Sequence, residues 1–321
     1  MRLLLIVNAS ASSVTARARV LIQTALSANH ELAVAETSRR GHASRLAQGA
    51  AADRVDAVVV LGGDGTLNEA ANGLAGTQTA LGVLPGGSTN VFARTIGMTN
   101  DPLEAAVELL AGLGRGDIRP VSLGRVNGRY FLFHVGLGFD AAVVAQVERH
   151  ETLKRYLGPA VFVYAAFATW FRHYDRRHPS FAATLIGADG AKQRIDDAYF
   201  GIGLKTNPYT FLGNRPLDVA PGTGFGTGLS LLSVRTLRLP VVLAVANAAL
   251  RGGRGVARRR VRLDRELQRV VIDAYRPLPY QVDGDYLGEA DHLELGWEPG
   301  ALRLVMPAPR HAPRDAEHPP C

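Results

Sequence analysis

Apolar and polar positions in the first third of the chain follow two alternating periods. Four short apolar runs read as buried strands, over residues 3–8, 31–37, 56–61 and 80–84. Between and after them, apolar residues recur at helical spacing over residues 15–28, 42–52, 67–74, 90–94 and 103–112. Apolar strands that alternate with helices are typical of a parallel sheet covered on its faces. The pattern therefore predicts an α/β domain over residues 1–122.

The pattern changes from about residue 121, where short strand-like runs separated by Gly and Pro turns become dominant. The predicted strands cover residues 121–126, 130–135, 181–186, 199–204, 229–234 and 270–274. Two apolar helices are predicted among them, over residues 141–170 and 239–250. Short strands between turns are typical of an antiparallel sandwich or barrel. We predict a β-sandwich-like domain over residues 123–307, followed by a disordered tail over residues 308–321.

Composition narrows the class of protein. The chain has 321 residues and a net charge of +7, which favours an anionic partner such as a nucleotide, nucleic acid or membrane surface. The single cysteine, Cys321, excludes an internal disulfide and a thiolate metal cluster, which indicates a cytoplasmic protein. No apolar stretch reaches the ~18–20 residues of a membrane-spanning helix. The apolar run at the start is too short for a signal peptide.

The most informative motif lies at the end of the third predicted strand. Here an apolar run meets the sequence Gly62-Gly63-Asp64-Gly65-Thr66, and a helix is predicted to follow. Glycines let backbone amides approach a phosphate, and a helix N-terminus favours negative charge. A carboxylate beside a phosphate is repulsive unless a cation lies between them, so Asp64 indicates magnesium. The motif predicts nucleotide phosphates with Mg²⁺; the alternative is a Gly-Asp-Gly turn without a ligand.

A second glycine loop follows the fourth predicted strand, with the sequence Pro85-Gly86-Gly87-Ser88-Thr89-Asn90. It nearly matches a Walker A loop, but Ser88 stands where the lysine should be. Backbone and hydroxyl groups could still hold a phosphate at this strand-to-helix junction. Two such loops in one sheet favour a shared nucleotide cleft over two structural turns.

Two further motifs carry carboxylates. The sequence from Gly136 to Ala141 matches the dinucleotide fingerprint, but no βαβ unit follows it, so a structural role for Asp140 is the better interpretation. Near the end of the chain, Asp283 and Asp285 flank Gly284. A positioned Asp can take a proton from an alcohol nucleophile, as in kinases. The alternative is a hairpin turn, because Asp-Gly is a favoured hairpin dipeptide.

Two surfaces could meet a lipid. Arginines cluster after the helix predicted over residues 239–250, at positions Arg251, Arg254, Arg258, Arg259, Arg260 and Arg262. Such a cluster suits an anionic membrane surface, at ~1 kcal/mol per arginine, or is an ordinary solvated face. Aromatic residues along residues 156–171 could border an acyl-chain site, although core packing explains them as well.

Taken together, the two glycine loops and the Asp283-Gly284-Asp285 turn resemble, in type and order, the diacylglycerol kinase catalytic-domain family. Sphingosine kinases are relatives of that family, and phosphofructokinases and NAD kinases are distant ones. The resemblance covers about residues 2–306. It implies an N-terminal α/β domain of phosphofructokinase or NAD kinase type, a C-terminal β-sandwich-like domain, and ATP with Mg²⁺ in the cleft between them.

The resemblance also implies roles for individual residues. Asp285 would be the general base, Asp283 would orient it or help hold the metal, and Asp64 would hold the catalytic magnesium. The nucleotide would lie against Asn8, Thr37, Gly62, Gly63, Asp64, Gly65, Thr66, Leu67, Asn68, Glu69, Gly87 and Ser88. The expected reaction is transfer of the γ-phosphate of ATP to a lipid hydroxyl, with diacylglycerol as acceptor and phosphatidic acid as product.

The chain departs from the family pattern at three places. Asp285 stands where the family usually has Glu, which keeps the carboxylate but shortens its reach by one methylene. The loop after the first strand lacks the common lysine, which Arg17 could replace. The segment Gly224–Leu229 has no carboxylate where many members bind a second, structural magnesium, although Asp218 lies nearby in sequence.

Three functions therefore remain open from the sequence. They are a lipid kinase, a kinase of a soluble alcohol such as NAD or a sugar, and a nucleotide-binding regulator without catalysis. For the first, we expect a cytoplasmic protein that reaches a lipid substrate at the inner membrane face, without nucleic acid as partner. A homodimer is left open.

Overall fold

A computed structural model describes residues 1–8, 14–148, 175 and 177–307. Most of the loop that lacks the family lysine lies outside the described residues. The same holds for the predicted helix beyond residue 148, with its aromatic residues, and for the tail 308–321. Among the residues that are described, no helix is both long and apolar enough to cross a membrane.

The first part of the chain forms the predicted parallel sheet. Its strands are β1 (Arg2–Asn8), β2 (Glu31–Thr37), β3 (Ala57–Gly62) and β4 (Ala80–Pro85). The helices are α1 (Ala16–Ser27), α2 (His42–Ala52), α3 (Asp64–Leu74), α4 (Val91–Thr95) and α5 (Pro102–Gly114). Strand β1 pairs in parallel with β2 and β3, and β3 pairs in parallel with β4. Every residue of β3 and β4 is buried, as their apolar runs predict.

The register of this sheet brings the predicted nucleotide-binding residues to one edge. Asn8 at the end of β1 pairs with Thr37 at the end of β2. Gly62 at the end of β3 pairs with Pro85 at the end of β4. All four strands are parallel, so their carboxyl ends open on the same side, where ligands of α/β proteins usually bind.

The rest of the described chain is rich in antiparallel strands. They are β5 (Ile118–Val126), β6 (Arg129–Phe131), β7 (His134–Gly138), β8 (Phe181–Gly187), β9 (Lys192–Ala198), β10 (Phe200–Leu204), β11 (Thr210–Leu212), β12 (Arg215–Leu217), β13 (Leu229–Val234), β14 (Val261–Val282) and β15 (Asp285–Val305). Two helices lie among them, α6 (Phe139–Glu148) and α7 (Leu239–Leu250). The predicted fold class, a parallel α/β part followed by a strand-rich part, is confirmed.

The hairpin of β14 and β15 joins the two parts. Strand β14 pairs antiparallel with β7, β8, β13 and β15. Strand β15 then pairs antiparallel with β5 and in parallel with β4, where Arg303 lies opposite Ala80. The end of the strand-rich part is thus hydrogen-bonded to the parallel sheet, and its turn at residues 283–284 lies beside the carboxyl edge.

Strand β15 was not predicted, and only residues 270–274 of the 22-residue β14 were. Charged residues such as Glu289, Asp291 and Glu294 interrupt the alternation of apolar positions along β15. Strand β15 has few buried residues until Leu293, because its first half lies near the surface. The pattern of hydrophobic positions therefore gave little signal there.

Candidate functional site

The first glycine loop forms the N-terminus of α3. The helix begins at Asp64, three residues before the predicted start, and Gly63 is its extended N-cap residue. The first intrahelical bond runs from the amide of Leu67 to the carbonyl of Gly63, at 3.1 Å. The preceding amides have no intrahelical partner, as at every helix start. Their direction and the helix dipole favour an anion at this point.

The second glycine loop packs directly on the first. The Gly86 amide donates to the Gly62 carbonyl at 2.9 Å. A Cβ added to Gly86 would lie 2.9 Å from the Gly62 backbone, and one added to Gly87 would lie 2.8 Å from Gly63 Cα. Glycine is therefore required here by the close approach of two backbones. The contact also places both loops at one point of the sheet edge, as a shared cleft requires.

Asp64 ties the two loops together. Its carboxylate accepts from the amides of Val91 at 2.9 Å and Phe92 at 3.0 Å, at the start of α4. Burial raises the pKa of Asp64, and these two hydrogen bonds oppose the shift. Each carboxylate oxygen keeps a second acceptor position. The predicted contact of Asp64 with magnesium stays a prediction, since no group of three potential ligands lies together among the described residues.

Several residues predicted to meet the phosphates have partners within the protein. Glu69 accepts from the amides of Gly41 at 2.7 Å and Ala43 at 3.2 Å, next to the start of α2. Leu67 is a buried core residue. The Asn8 amide group donates to the Thr66 hydroxyl at 2.9 Å, so these two predicted residues do meet.

The remaining predicted residues differ in exposure. Thr37, at the end of β2, is half-buried. Ser88, in the second glycine loop, is exposed. Gly87 donates its amide to the Asn90 side chain at 2.8 Å, and Asn90 adopts a left-handed backbone with φ of 48°. Asn90, which the prediction did not include, is thus the residue that shapes the second loop.

Asp283 is a buried structural carboxylate. It accepts from the amides of Leu132 at 2.7 Å and of Phe133 and His134 at 3.0 Å. The side chain of Asn68 donates to it at 2.8 Å. Burial raises the pKa of Asp283 to about 6, and these four hydrogen bonds oppose the shift. Asp283 and Gly284 also form the two-residue turn between β14 and β15, with φ of 50° and 88°. The backbone at this point is therefore a hairpin turn, as the alternative interpretation of the motif proposed.

Asp285 lies beside the N-terminus of α3, and two arginines approach it. Arg40 Nη2 lies 3.2 Å from Oδ1, and Arg129 Nη2 lies 3.4 Å from Oδ2. A Cβ added to Gly65 would be 3.7 Å from Oδ1, so the carboxylate faces the first turn of the helix. A quarter of the Asp285 side chain is exposed, so this carboxylate is accessible.

The two arginines were not predicted. Arg40 follows the end of β2, and Arg129 begins β6 after the turn at Asn127 and Gly128. Arg129 also donates to the Asn68 side chain at 2.9 Å, which links it to Asp283. The signal for Arg40 was present in the sequence, since basic residues after a parallel strand fall on the ligand-binding edge.

A second network fixes the turn that carries Asp285. The Gly284 amide donates to Gln281 at 2.8 Å, and Gln281 donates to Asp140 at 2.9 Å. The Tyr209 hydroxyl donates to the other Asp140 oxygen at 2.7 Å. Burial raises the pKa of Asp140, and both hydrogen bonds oppose the shift. Asp140 therefore has the structural role that the sequence indicates.

Comparisons with known proteins agree with this architecture. The family model described as "Diacylglycerol kinase catalytic domain" matches residues 2–126. "Probable lipid kinase YegS-like" from Pseudomonas aeruginosa strain PAO1 is 32% identical over 293 residues, which cover 90% of this chain and 89% of the relative. "Diacylglycerol kinase" from Bacillus subtilis strain 168 is 40% identical over 114 residues, or 35% of this chain and 36% of the relative.

Two solved structures from Bacillus anthracis strain Sterne share the fold. One, named a diacylglycerol kinase, has a TM-score of 0.67 at 21% identity and covers 95% of this chain and 96% of its own. The other has a TM-score of 0.72 at 22% identity, with the same coverage. Fold and relatives define a kinase of the lipid kinase class. The chain belongs to the diacylglycerol kinase catalytic-domain family, as its motifs indicate.

Proposed function

We propose that this protein is an ATP-dependent lipid kinase that phosphorylates diacylglycerol to phosphatidic acid. The observation that carries the proposal is the position of Asp285. It is an accessible carboxylate at the N-terminus of α3, flanked by Arg40 and Arg129. A carboxylate can accept a proton, and guanidinium groups beside a helix N-terminus stabilise phosphoryl oxygens. Base and anion-binding groups therefore meet at one point.

The proposed reaction is an in-line transfer. The lipid hydroxyl oxygen forms a bond to the γ-phosphorus of ATP, the bond from that phosphorus to the bridging oxygen breaks, and ADP leaves. Asp285 takes the hydroxyl proton. Arg40 and Arg129 stabilise the charge on the moving phosphoryl group, and Asp283 holds the turn so that Asp285 stays in place. Positioning and charge stabilisation supply most of the acceleration in this class of reaction.

The residues at the sheet edge fit the phosphates of ATP. The free amides of the α3 N-terminus and the Asn8–Thr66 pair face the same edge as the second glycine loop. Magnesium on a nucleotide is usually held by one or two carboxylates and the phosphates, without a protein cage. Asp64 is the carboxylate that would hold it. The ion would neutralise charge on the phosphoryl oxygens.

The surface around α7 suits a lipid membrane. Leu243 and Leu250 are 52% and 40% exposed on this helix. Arg251, Arg254, Arg258, Arg259 and Arg260 are all exposed after it, and none forms an ion pair with another described residue. Exposed apolar side chains beside unpaired arginines favour binding to anionic lipid. We propose that this surface brings the enzyme to the cytoplasmic face of the membrane.

An acceptor panel tests the proposed function. The protein is incubated with Mg²⁺, ATP labelled at the γ-phosphate, and either diacylglycerol in mixed vesicles, other lipid alcohols, NAD or sugars. We expect label in phosphatidic acid. Label in a soluble product would replace the proposal with a soluble-alcohol kinase. Nucleotide binding without transfer to any acceptor would replace it with a regulatory protein.

A further inference from the structure

A lysine lies fully buried in the strand-rich part of the protein. Lys205 follows β10 directly and has 0% exposure. Its Nζ donates to the carbonyl of Gly224 at 2.6 Å and to that of Thr227 at 2.9 Å. It forms no salt bridge within the part of the chain that the structure describes. Lysine is almost never fully buried without a partner, so these carbonyls are what hold it.

The carbonyls belong to the segment 223–228, which we call the 223–228 loop. Within it, Thr227 Oγ1 accepts from the Gly224 amide at 2.9 Å and donates to the Gly224 carbonyl at 3.0 Å. The Gly228 amide donates to Glu266 at 3.1 Å. Two carbonyls of one loop therefore converge on Nζ, as they would on a bound cation.

The residues here do not fit a divalent metal. Magnesium and calcium need several oxygen ligands, normally with a carboxylate among them. Thr227 supplies no carboxylate, and the Glu266 carboxylate already accepts from the Gly228 amide. Asp218, the nearest candidate in sequence, accepts from the Asn207 side chain at 3.0 Å. The Lys205 ammonium already occupies the converging carbonyls, and a second cation beside it would be repelled.

We propose that the Lys205 ammonium is the permanent cation of the 223–228 loop, and that this loop takes no structural metal ion. Burial lowers the pKa of Lys205 to about 8, and the nearby Glu266 opposes the shift. The ammonium form therefore predominates at neutral pH. A cation that is part of the chain cannot be removed by a chelator, so this part of the fold is independent of metal supply.

The loop held by Lys205 supports the second glycine loop. The Ser122 hydroxyl donates to the Phe225 carbonyl, which fixes the middle of the 223–228 loop. The Phe225 ring packs edge-on against Phe92, with centroids 5.7 Å apart. Phe92 is the second residue of α4, and its amide is one of the two that Asp64 binds. A continuous series of contacts therefore links Lys205 to Asp64.

Thermal unfolding without nucleotide tests the proposal. We expect the Tm of the wild-type protein to be the same, within about 1 °C, in a chelator and in millimolar Mg²⁺ or Ca²⁺. We expect Lys205→Met to lower the Tm by about 5 °C or more, because it keeps the apolar stem but takes the ammonium donor away from the Gly224 and Thr227 carbonyls. Lys192→Met is the matched control, since Lys192 is exposed on β9.

Two results would overturn the proposal. One is a wild-type Tm that falls by several degrees in the chelator and recovers with Mg²⁺ or Ca²⁺. The other is a Lys205→Met variant as stable as Lys192→Met. The wild-type comparison decides whether a metal is needed even where Lys205→Met does not fold. Neither measurement uses phosphate transfer, so failure of the lipid kinase function would leave their outcome unchanged.

Discussion

Three aspartates lie in the candidate site, and their hydrogen bonds give them different roles. Asp64 accepts from two backbone amides of α4, and Asp283 accepts from three amides and Asn68. Asp285 instead meets two arginines at 3.2 Å and 3.4 Å and stays accessible. The first two carboxylates organise loops, whereas the third is the one that we propose takes a proton from the substrate.

His134 makes the stability of the protein depend on pH. It is 4% exposed, its ring centroid lies 4.3 Å from that of Tyr209, and its Nδ1 has no hydrogen-bond partner among the described residues. Burial lowers its pKa from 6.5 to about 3. Between these values the unfolded chain binds a proton that the folded protein does not, so stability falls as the pH falls below 6.5.

Replacing His134 should remove this dependence. Between about pH 7.5 and about pH 5, we expect wild type to lose about 2 kcal/mol more unfolding free energy than His134→Gln. Urea unfolding of both proteins at each pH measures this difference in unfolding free energy. His178→Gln, at a side chain that is 73% exposed, is the control and should track wild type. Parallel pH profiles for wild type and His134→Gln would contradict the assignment.

At the scale of elements, the contact between the two glycine loops leaves no space for a side chain at Gly86. A Cβ at Gly86 would lie 2.9 Å from both N and Cα of Gly62, and neither backbone atom can rotate away. We therefore expect Gly86→Ala to lower the unfolding free energy by about 1–3 kcal/mol and to weaken nucleotide binding. Denaturant unfolding and nucleotide titration measure the two effects.

Gly49→Ala is the matched control for that substitution. Gly49 lies inside α2, and an added Cβ meets nothing within 4 Å. Alanine there should stabilise the protein by about 0.5–1 kcal/mol and leave nucleotide binding unchanged. If Gly86→Ala behaved like Gly49→Ala, the loops would not be in the contact described.

Local patterns in the sequence were sufficient for the elements of the parallel sheet. Strand β2 and helix α2 have the predicted bounds, because their apolar periods end at clear breaks, and α7 in the strand-rich part has its predicted bounds as well. Strand β15 was missed because charged residues interrupt its alternation. The partners of Asn68 and Glu69 were also missed. Both residues follow the glycine loop in sequence, but a helix turns their side chains away from its N-terminus, toward Asp283 and the start of α2.

At the scale of the whole molecule, the site depends on contacts between distant parts of the chain. Asn68 and Asp283, which are 215 residues apart, share a hydrogen bond. Strand β15 carries Asp285 back to the parallel sheet by pairing with β4. Such long-range pairings are set by tertiary packing, which single-sequence periodicity does not contain. The order of the motifs predicted that the residues belong to one site, but only the fold shows how Arg40 and Arg129 join it.

The basic surface after α7 should control membrane binding. Reversing three exposed charges, with Arg251→Glu, Arg254→Glu and Arg259→Glu, should weaken binding to anionic vesicles by about 3 kcal/mol, or roughly 100-fold. Wild-type binding should also weaken with added salt. Vesicle sedimentation measures both effects.

A variant with the same charge change tests the location of the surface. Arg45→Glu, Arg54→Glu and Arg115→Glu reverse three exposed arginines in the α/β part. This control should keep most of the affinity. Equal losses in the two triple variants would indicate a response to net charge alone.

The central claim is that phosphate transfer takes place at Asp285. The most direct measurement compares the rate of phosphatidic acid formation from ATP and diacylglycerol vesicles for wild type, Asp285→Asn and the exposed control Asp291→Asn. The amide has the size of the carboxylate but cannot take the proton. We expect Asp285→Asn to lose about 10²–10⁴-fold in rate while nucleotide binding is retained, and Asp291→Asn to match wild type. Turnover by Asp285→Asn at the wild-type rate would contradict the account.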